Sequence, residues 1–254
     1  MSGAQGGLSM ELQQFALILF FLIAALYSSV GHAGASGYLA IMALLSFAPD
    51  EIKPTSLVLN IAVAGIASWR YLRAGCFDPK VFWPLALVAI PFAFIGGAIE
   101  LPARIFQVAA GIFLVASAAI MAWRAFRQAE VEEARRLNWP MAALIAAPIG
   151  FVSGIIGVGG GIFLSPILIA GRFAPVRTVS GIAALFILMN SVAGLIGQFS
   201  SGLLLHNEVL HWLIAVIAGG WLGSHLGVSR FGARAILVVL FVVLVTAGVK
   251  MLLA

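Results

Sequence analysis

Ten apolar runs follow one another along this sequence, separated by short polar segments or by clusters of glycine and proline. Hydrophobic residues make up 63% of the chain and charged residues 9%, whereas a soluble domain carries about 25% charged residues. A soluble core of this length does not need so much apolar surface, so the sequence predicts an all-α polytopic membrane protein. The runs span roughly 15–30, 37–48, 55–73, 81–99, 104–126, 140–157, 160–171, 178–198, 209–228 and 233–253.

The two halves of the chain repeat the same order of runs. Each half holds a medium run, a short run and then three full-length runs, with glycines joining the first two. The charged segment "RQAEVEEARRLN" (127–138) separates the halves. The sequence therefore predicts a first repeat over 1–126, a charged cytoplasmic linker and a second repeat over 139–254, which together form one membrane domain.

Individual residues also match between the halves. A shift of 123 positions brings small or polar residues of the first half onto identical residues of the second half. These pairs are Gly31 and Gly154, Gly34 and Gly157, Gly37 and Gly160, Thr55 and Thr178, and Ser68 and Ser191.

The short runs are too short to cross a membrane. A helix of about 12 residues spans ~18 Å, against ~30 Å of hydrocarbon. Each medium-plus-short pair is therefore either one broken crossing or a hairpin that returns to its starting side, giving about eight membrane segments by hydropathy, or ten helices if the broken ones are counted separately.

The distribution of basic residues favours the hairpin. With returning hairpins, 11 of the 14 Lys and Arg lie on one side, whereas single crossings give a split of about 8 to 6. Each half then has three full crossings, and because this number is odd, the second half is inverted relative to the first. The sequence therefore predicts two inverted repeats, a plan common in secondary transporters. Both termini are then expected outside the cytoplasm. The 11 residues are Arg70, Arg73, Lys80, Arg124, Arg127, Arg135, Arg136, Arg172, Arg177, Arg230 and Arg234, and the others are Lys53, Arg104 and Lys250.

Two glycine clusters, "GHAGASGY" (31–38) and "GVGGG" (157–161), precede the short runs. Glycine weakens a helix interior but allows a turn or a close backbone approach. A short helix that starts after such a turn, near Gly37 or Gly160, points its N–H groups and its positive dipole end into the protein, which favours an anion. The alternative is that these glycines only allow tight helix packing.

The motif "GIIGVGGGIFLSPIL", followed by "TVSG" and later by "GGWLGSHLG", resembles the sulfite exporter TauE/SafE family, also called the 4-toluene sulfonate uptake permease family. The resemblance covers nearly the whole chain and implies transport of small sulfur-containing anions such as sulfite or sulfonates. The first cluster departs from the family pattern, because His32, Ser36 and Tyr38 stand where a run of glycines followed by a proline is usual.

Polar residues at membrane depth complete the candidate site. His32 is an ionisable residue inside the first cluster, Asn60 and Asn190 lie within helices, and Thr55 and Thr178 are expected to open those helices as N-caps. Gln198 adds a further donor. The candidate substrate-binding residues are Gly31, His32, Gly34, Ser36, Gly37, Thr55, Asn60, Gly157, Gly159, Gly160, Gly161, Thr178, Asn190 and Gln198.

Several classes of protein do not fit the sequence. It has no G-x-x-x-x-G-K-[ST] loop for ATP, one cysteine, and scattered basic residues rather than a nucleic-acid patch. We expect no cofactor, no metal, no catalytic residue and no nucleic-acid partner; the expected partners are a small anion and the lipid bilayer, and a homodimer stays open.

The sequence therefore predicts a non-enzymatic secondary transporter of small sulfur-containing anions, working by alternating access in a bacterial-type inner membrane. The alternatives are an anion channel of the same architecture, an intramembrane enzyme that uses His32, and a structural or assembly factor. The direction of transport and the coupling ion stay open.

Overall fold

Helices joined by short turns make up the residues that the computed structural model of the chain describes, which are 10–29, 32–126, 135–199, 205–206, 208–226 and 233–253. This confirms the all-α polytopic class. Five helices in these ranges are long and apolar enough to cross a membrane, by length and composition. The described residues form ten helices: α1 (Met10–Ser29), α2 (Ala35–Leu44), α3 (Pro49–Arg73), α4 (Pro79–Ala98), α5 (Ala103–Phe126), α6 (Trp139–Ile156), α7 (Gly161–Ala170), α8 (Val176–Phe199), α9 (Val209–Leu226) and α10 (Ala233–Leu253).

The short helices α2 and α7 each start at a glycine with left-handed backbone. Gly34 caps α2 with φ 97°, and Gly160 caps α7 with φ 78°. These glycines are 126 positions apart, so the structural correspondence differs from the shift of 123 that the sequence suggested. Several registers place glycine on glycine in such a sequence, and only the backbone conformation distinguishes them.

The contacts of α1 with α2 show that the first pair is a hairpin. Tyr27 Oη lies 2.7 Å from Ser36 Oγ, and one residue further along α2 Gly37 packs against Ile23. Advancing along α2 therefore means going back along α1, so the two helices are antiparallel.

The second pair returns in the same way. Gly150 and Gly154 of α6 pack against Ala89 and Ala93 of α4, so α6 runs parallel to α4. Helix α7 instead follows α5: Phe163 packs edge-to-face against Phe113, and the C-terminal half of α7 lies along the C-terminal half of α5. Because α5 runs back from the end of α4, α7 runs opposite to α6.

The packing of the helices is similar in the two halves. The counterpart of each helix in the first half is the helix five places later, so α1 corresponds to α6 and α4 to α9. Helix α1 packs on α9, and the corresponding pair α6 and α4 also pack on each other. Helix α3 packs on its own counterpart α8, and α5 packs on its own counterpart α10. The pattern supports the predicted repeats, whose boundaries and orientation in a membrane stay a prediction.

The two ends of the helix bundle can be named from these directions. The linker end is where α5 ends and α6 starts, and the far end is where α2, α4 and α6 end. Helices α2 and α7 have ten residues each, about 15 Å, and run to opposite ends. Their N-termini therefore lie about halfway through a ~30 Å hydrocarbon layer.

Candidate functional site

A narrow cavity lies between the two glycine-rich turns. In the conformation described its free volume is about 10 Å³, room for about one water molecule, so a larger ligand requires the two turns to move apart. The first turn and the start of α2 form one wall, and the second turn forms another. The lining residues are Tyr27, His32, Ala33, Gly34, Ala35, Ser36, Asn60, Phe113, Val158, Ile162 and Ile187.

The positive end of the α2 dipole faces this cavity. Gly34, Ala35 and Ser36 are the cap and the first two residues of α2, and all three line it. No side chain caps this N-terminus, and the first helical hydrogen bond runs from Tyr38 N to Gly34 O at 3.0 Å. A helix start of this kind attracts an anion without placing a full positive charge in the membrane.

His32 joins the first turn to α7. Its side chain is buried, with 2% exposed, and Nε2 lies 3.4 Å from Ser165 Oγ. The Ser165 hydroxyl also donates to Gly161 O at 3.0 Å. The main-chain N–H of His32 donates to Tyr27 O at 2.9 Å and holds the turn in place. The imidazole therefore lies where both hairpins meet.

Asn60 of α3 is tied to Ser191 of α8. The Asn60 amide is completely buried, and its Nδ2 donates to Ser191 Oγ at 2.8 Å. Its Oδ1 is buried and has no partner. Because a half-turn of the amide exchanges oxygen and nitrogen, the hydroxyl can donate to Oδ1 while Nδ2 points away from it. In that orientation Oδ1 accepts from the Ser191 hydroxyl, and Nδ2 is a donor available in the cavity wall.

The backbone of the second turn approaches this amide closely. A Cβ atom on Gly159 would lie 2.7 Å from Asn60 Nδ2 and 2.9 Å from Ser191 Oγ. Its φ of 71° is left-handed, which a residue with a side chain rarely adopts. Added side chains on Gly160 and Gly161 would collide with Ser153 and Ile187. The second turn therefore depends on its glycines.

The other candidate residues of the first turn have different surroundings. Gly31 lies outside the described residues. Ser36 bonds to Tyr27 in the cavity wall, whereas a Cβ on Gly37 would meet Ile23 and Tyr27 of α1, so Gly37 serves helix packing. In the second turn Gly157, with φ 85°, ends α6 beside Lys53.

Thr55 and Thr178 are not N-caps, so that prediction is wrong. Helix α3 starts at Pro49 after the cap residue Ala48, and Thr178 is the third residue of α8. Proline at the first helical position, followed by two acidic residues, starts α3 earlier than the apolar pattern suggested. Thr55 Oγ1 is buried without a partner, and Thr178 is half-buried at the linker end.

Asn190 and Gln198 are buried but do not line the cavity. Neither amide atom of Asn190 has a partner. One turn before and after it, Phe186 lies near Gly160 of the second turn and Gly194 lies near Gly154 of α6, so Asn190 is on the side of α8 that faces α6 and the start of α7. Gln198 lies two turns beyond Ser191, towards the far end.

Sequence reasoning missed four contributors to this region. Ser191 had appeared only as a match to Ser68, and Ser165 only as part of the "LSPIL" motif. Lys53 enters the sequence analysis only as one of three basic residues on the non-cytoplasmic side, and Tyr27 carries no signal in the sequence. Their roles arise from neighbours more than eight positions away in the chain.

Residues 16–251 match the family described as sulfite exporter TauE/SafE. The chain is 41% identical to the probable membrane transporter protein y4hK of Sinorhizobium fredii over 92% of this chain and 96% of that protein. It is 26% identical to the probable membrane transporter protein MJ0441 of Methanocaldococcus jannaschii, over 73% of this chain and 72% of the relative. It is 22% identical to the probable membrane transporter protein YdhB of Bacillus subtilis, over 82% of this chain and 87% of that protein. No solved structure matches the chain.

Proposed function

The chain belongs to the sulfite exporter TauE/SafE family of membrane transporters, and from this premise we propose that it carries small sulfur-containing anions, sulfite or sulfonates, by alternating access. The observation that carries the proposal is the buried cavity where α2 begins at Gly34, opposite the second turn, with the Asn60 amide in its wall.

The chemistry of the cavity fits an anion. None of the described residues that line it is acidic, so no fixed negative charge opposes the ligand. The helix start, the Asn60 amide and the imidazole of His32 supply donors for oxygen atoms. Phe113, Ile162 and Ile187 supply an apolar wall that would face the carbon part of a sulfonate once the cavity widens.

We further propose that the two halves are inverted repeats and that their hairpins enter from opposite sides of a bacterial-type inner membrane. The antiparallel pair of α3 and α8, joined by Asn60 and Ser191, then lies between them. Rocking of one half against the other would open the cavity to each side in turn, as in other transporters built from inverted repeats.

This proposal predicts the topology of the chain. The linker between the halves is expected in the cytoplasm and both termini outside it, because basic residues concentrate on the cytoplasmic side. Single cysteines introduced at each terminus and in the linker, with Cys76 replaced, would be labelled with an impermeant reagent. Labelling of the C-terminus only from the cytoplasmic side would contradict the inverted arrangement.

Ligand-induced stabilisation tests the substrate class. Sulfite, thiosulfate, sulfate, several sulfonates and several carboxylates are added to the detergent-solubilised protein, and the unfolding temperature is measured. A ligand that binds only the native state raises this temperature in a concentration-dependent way. We expect a rise with sulfite or a sulfonate and a smaller one with carboxylates of equal size; a rise with carboxylates alone would contradict the proposed substrate class.

His32 is expected to link proton and anion binding. A bound anion favours the charged imidazole, so each ligand should strengthen the binding of the other by the same factor. Affinity for a sulfonate, which does not itself titrate there, is expected to rise as the pH falls through the range where histidine titrates. His32→Gln is expected to flatten this dependence and keep part of the binding. A variant with the parent's pH profile would make His32 a structural residue.

A further inference from the structure

Lys53 is a buried lysine in the far-end half of α3. Only 6% of it is exposed, and in the part of the chain that the structure describes it is the only lysine or arginine that is buried. A charged residue in such a place is costly and is usually retained for a function. The proposed transport site does not use it directly, because Lys53 does not line the cavity.

The ammonium group of Lys53 lies at the C-terminus of α4. Its Nζ donates to Gly97 O at 2.8 Å, to Ile99 O at 3.1 Å and to Gly96 O at 3.4 Å. These carbonyls belong to the last turn of the helix, where the backbone dipole is negative. The lysine therefore neutralises one helix end.

A second helix ends at the same place. Helix α6 runs parallel to α4, and a Cβ on its last cap residue, Gly157, would lie 2.8 Å from Lys53 O and 3.1 Å from Lys53 Cγ. Each helix C-terminus carries about half a negative charge. Together the two ends carry about one negative charge, and the Glu100 carboxylate also lies close enough to interact with Lys53. The positive charge of Lys53 therefore offsets part of a region that is otherwise negative.

The region around Lys53 lies next to the proposed site. Lys53 precedes Asn60 by two helical turns, about 10 Å along α3, and the second turn of the site starts at Gly157, which packs on Lys53. Without the lysine, an anion in the cavity would face two uncompensated negative helix ends at this distance.

We propose that Lys53 is an affinity-determining residue that acts on the anion through its charge, by cancelling the negative ends of α4 and α6 at the far-end approach to the cavity. This inference rests on the proposed function. Lys53 would act through its electric field, because its ammonium group contacts the carbonyl oxygens at the end of α4 and not the ligand.

Variants at position 53 separate charge from hydrogen bonding. Lys53→Arg keeps the charge, Lys53→Gln keeps N–H donors without charge, and Lys53→Met keeps neither. Lys250 offers a matched control: it also caps a far-end helix, donating to Leu44 O and to Ser46 Oγ at 2.8 Å, but it does not contact the turn at Gly157. Methanesulfonate and sulfate serve as monovalent and divalent probes in calorimetric titrations of the full-length chain.

A unit charge at about 10 Å in an effective dielectric of about 20 changes affinity roughly tenfold per charge on the ligand. Lys53→Gln and Lys53→Met are therefore both expected to bind methanesulfonate about tenfold more weakly and sulfate about a hundredfold more weakly. Lys53→Arg should stay within about threefold of the parent because it keeps the charge. Lys250→Gln should do so because its ammonium group is exposed, where the effective dielectric is closer to ~80 than to ~20. Thermal unfolding of each variant without ligand reports the loss of the helix cap separately.

Two results would overturn the inference. One is a loss of affinity that is equal for the two probes; the other is binding by Lys53→Gln at the parent's level while only Lys53→Met is weakened, which would make Lys53 a hydrogen-bonding cap. A failure of the parent to bind any sulfur oxyanion or sulfonate is a different outcome, because it overturns the proposed function itself and this role with it.

Discussion

Replacing Gly159 by leucine is expected to abolish anion binding while the protein still inserts and folds as a helical bundle. The first side-chain atom alone would lie 2.7 Å from Asn60 Nδ2 and 2.8 Å from an Ile187 methyl group, so the rest of a leucine must occupy the space between the second turn and α3. The loss should exceed a hundredfold, since the turn would shift and the Asn60 amide would be covered. Binding of a sulfonate by calorimetry, with circular dichroism and gel filtration as checks on folding, measures the effect.

The chain provides controls for the two costs of this substitution. Gly75 also has left-handed backbone, with φ 68°, but nothing lies within 4 Å of an added Cβ. Gly75→Ala therefore carries backbone strain alone, and Gly65→Leu adds bulk within α3 at a position that is likewise open. Both variants are expected to bind like the parent, and normal binding by Gly159→Leu would show that the second turn does not approach the ligand.

Removing the Asn60 amide is expected to produce the next largest loss. A hydrogen bond to a charged group contributes about 1.5–3 kcal/mol, so Asn60→Ala should weaken sulfonate binding by about 10- to 100-fold. Asn60→Asp, which has nearly the same shape, should be worse because it places a carboxylate in a cavity that takes an anion.

Asn190 is the matched control for Asn60. It is the same residue type and is 1% exposed, and both of its amide atoms lack partners whereas only Oδ1 of Asn60 does; Asn190 does not line the cavity. Asn190→Ala is therefore expected to bind the sulfonate within about threefold of the parent, less than the loss of one hydrogen bond. Equal losses in Asn60→Ala and Asn190→Ala would mean that both amides serve helix packing.

The helix content and the two breaks were predictable from the sequence because their signals are local. Apolar runs of known length give the helices, and clustered glycines give the two turns, although α2 starts at Ala35 after Gly34 rather than near Gly37 as the sequence suggested. The start of α3 was predicted too late because the apolar pattern outweighed the proline and the acidic residues that begin the helix at Pro49.

The candidate site was only partly predictable because its contacts cross between helices. The pairs His32 with Ser165 and Asn60 with Ser191 join residues 133 and 131 positions apart, and no local pattern links them. Lys53 shows the same limit: its neighbours in the sequence are acidic, whereas its hydrogen-bond partners are carbonyl oxygens at the end of α4.

Exchange of a sulfonate across proteoliposomes tests the central claim most directly. Vesicles with purified protein are loaded with unlabelled methanesulfonate, and entry of labelled methanesulfonate is followed against its outside concentration. The account predicts entry that saturates, that is faster in loaded than in empty vesicles, and that is lost in Gly159→Leu but kept in Gly75→Ala. Entry that rises linearly without saturation would indicate a channel, and entry no faster than in protein-free vesicles would contradict transport of this class of anion.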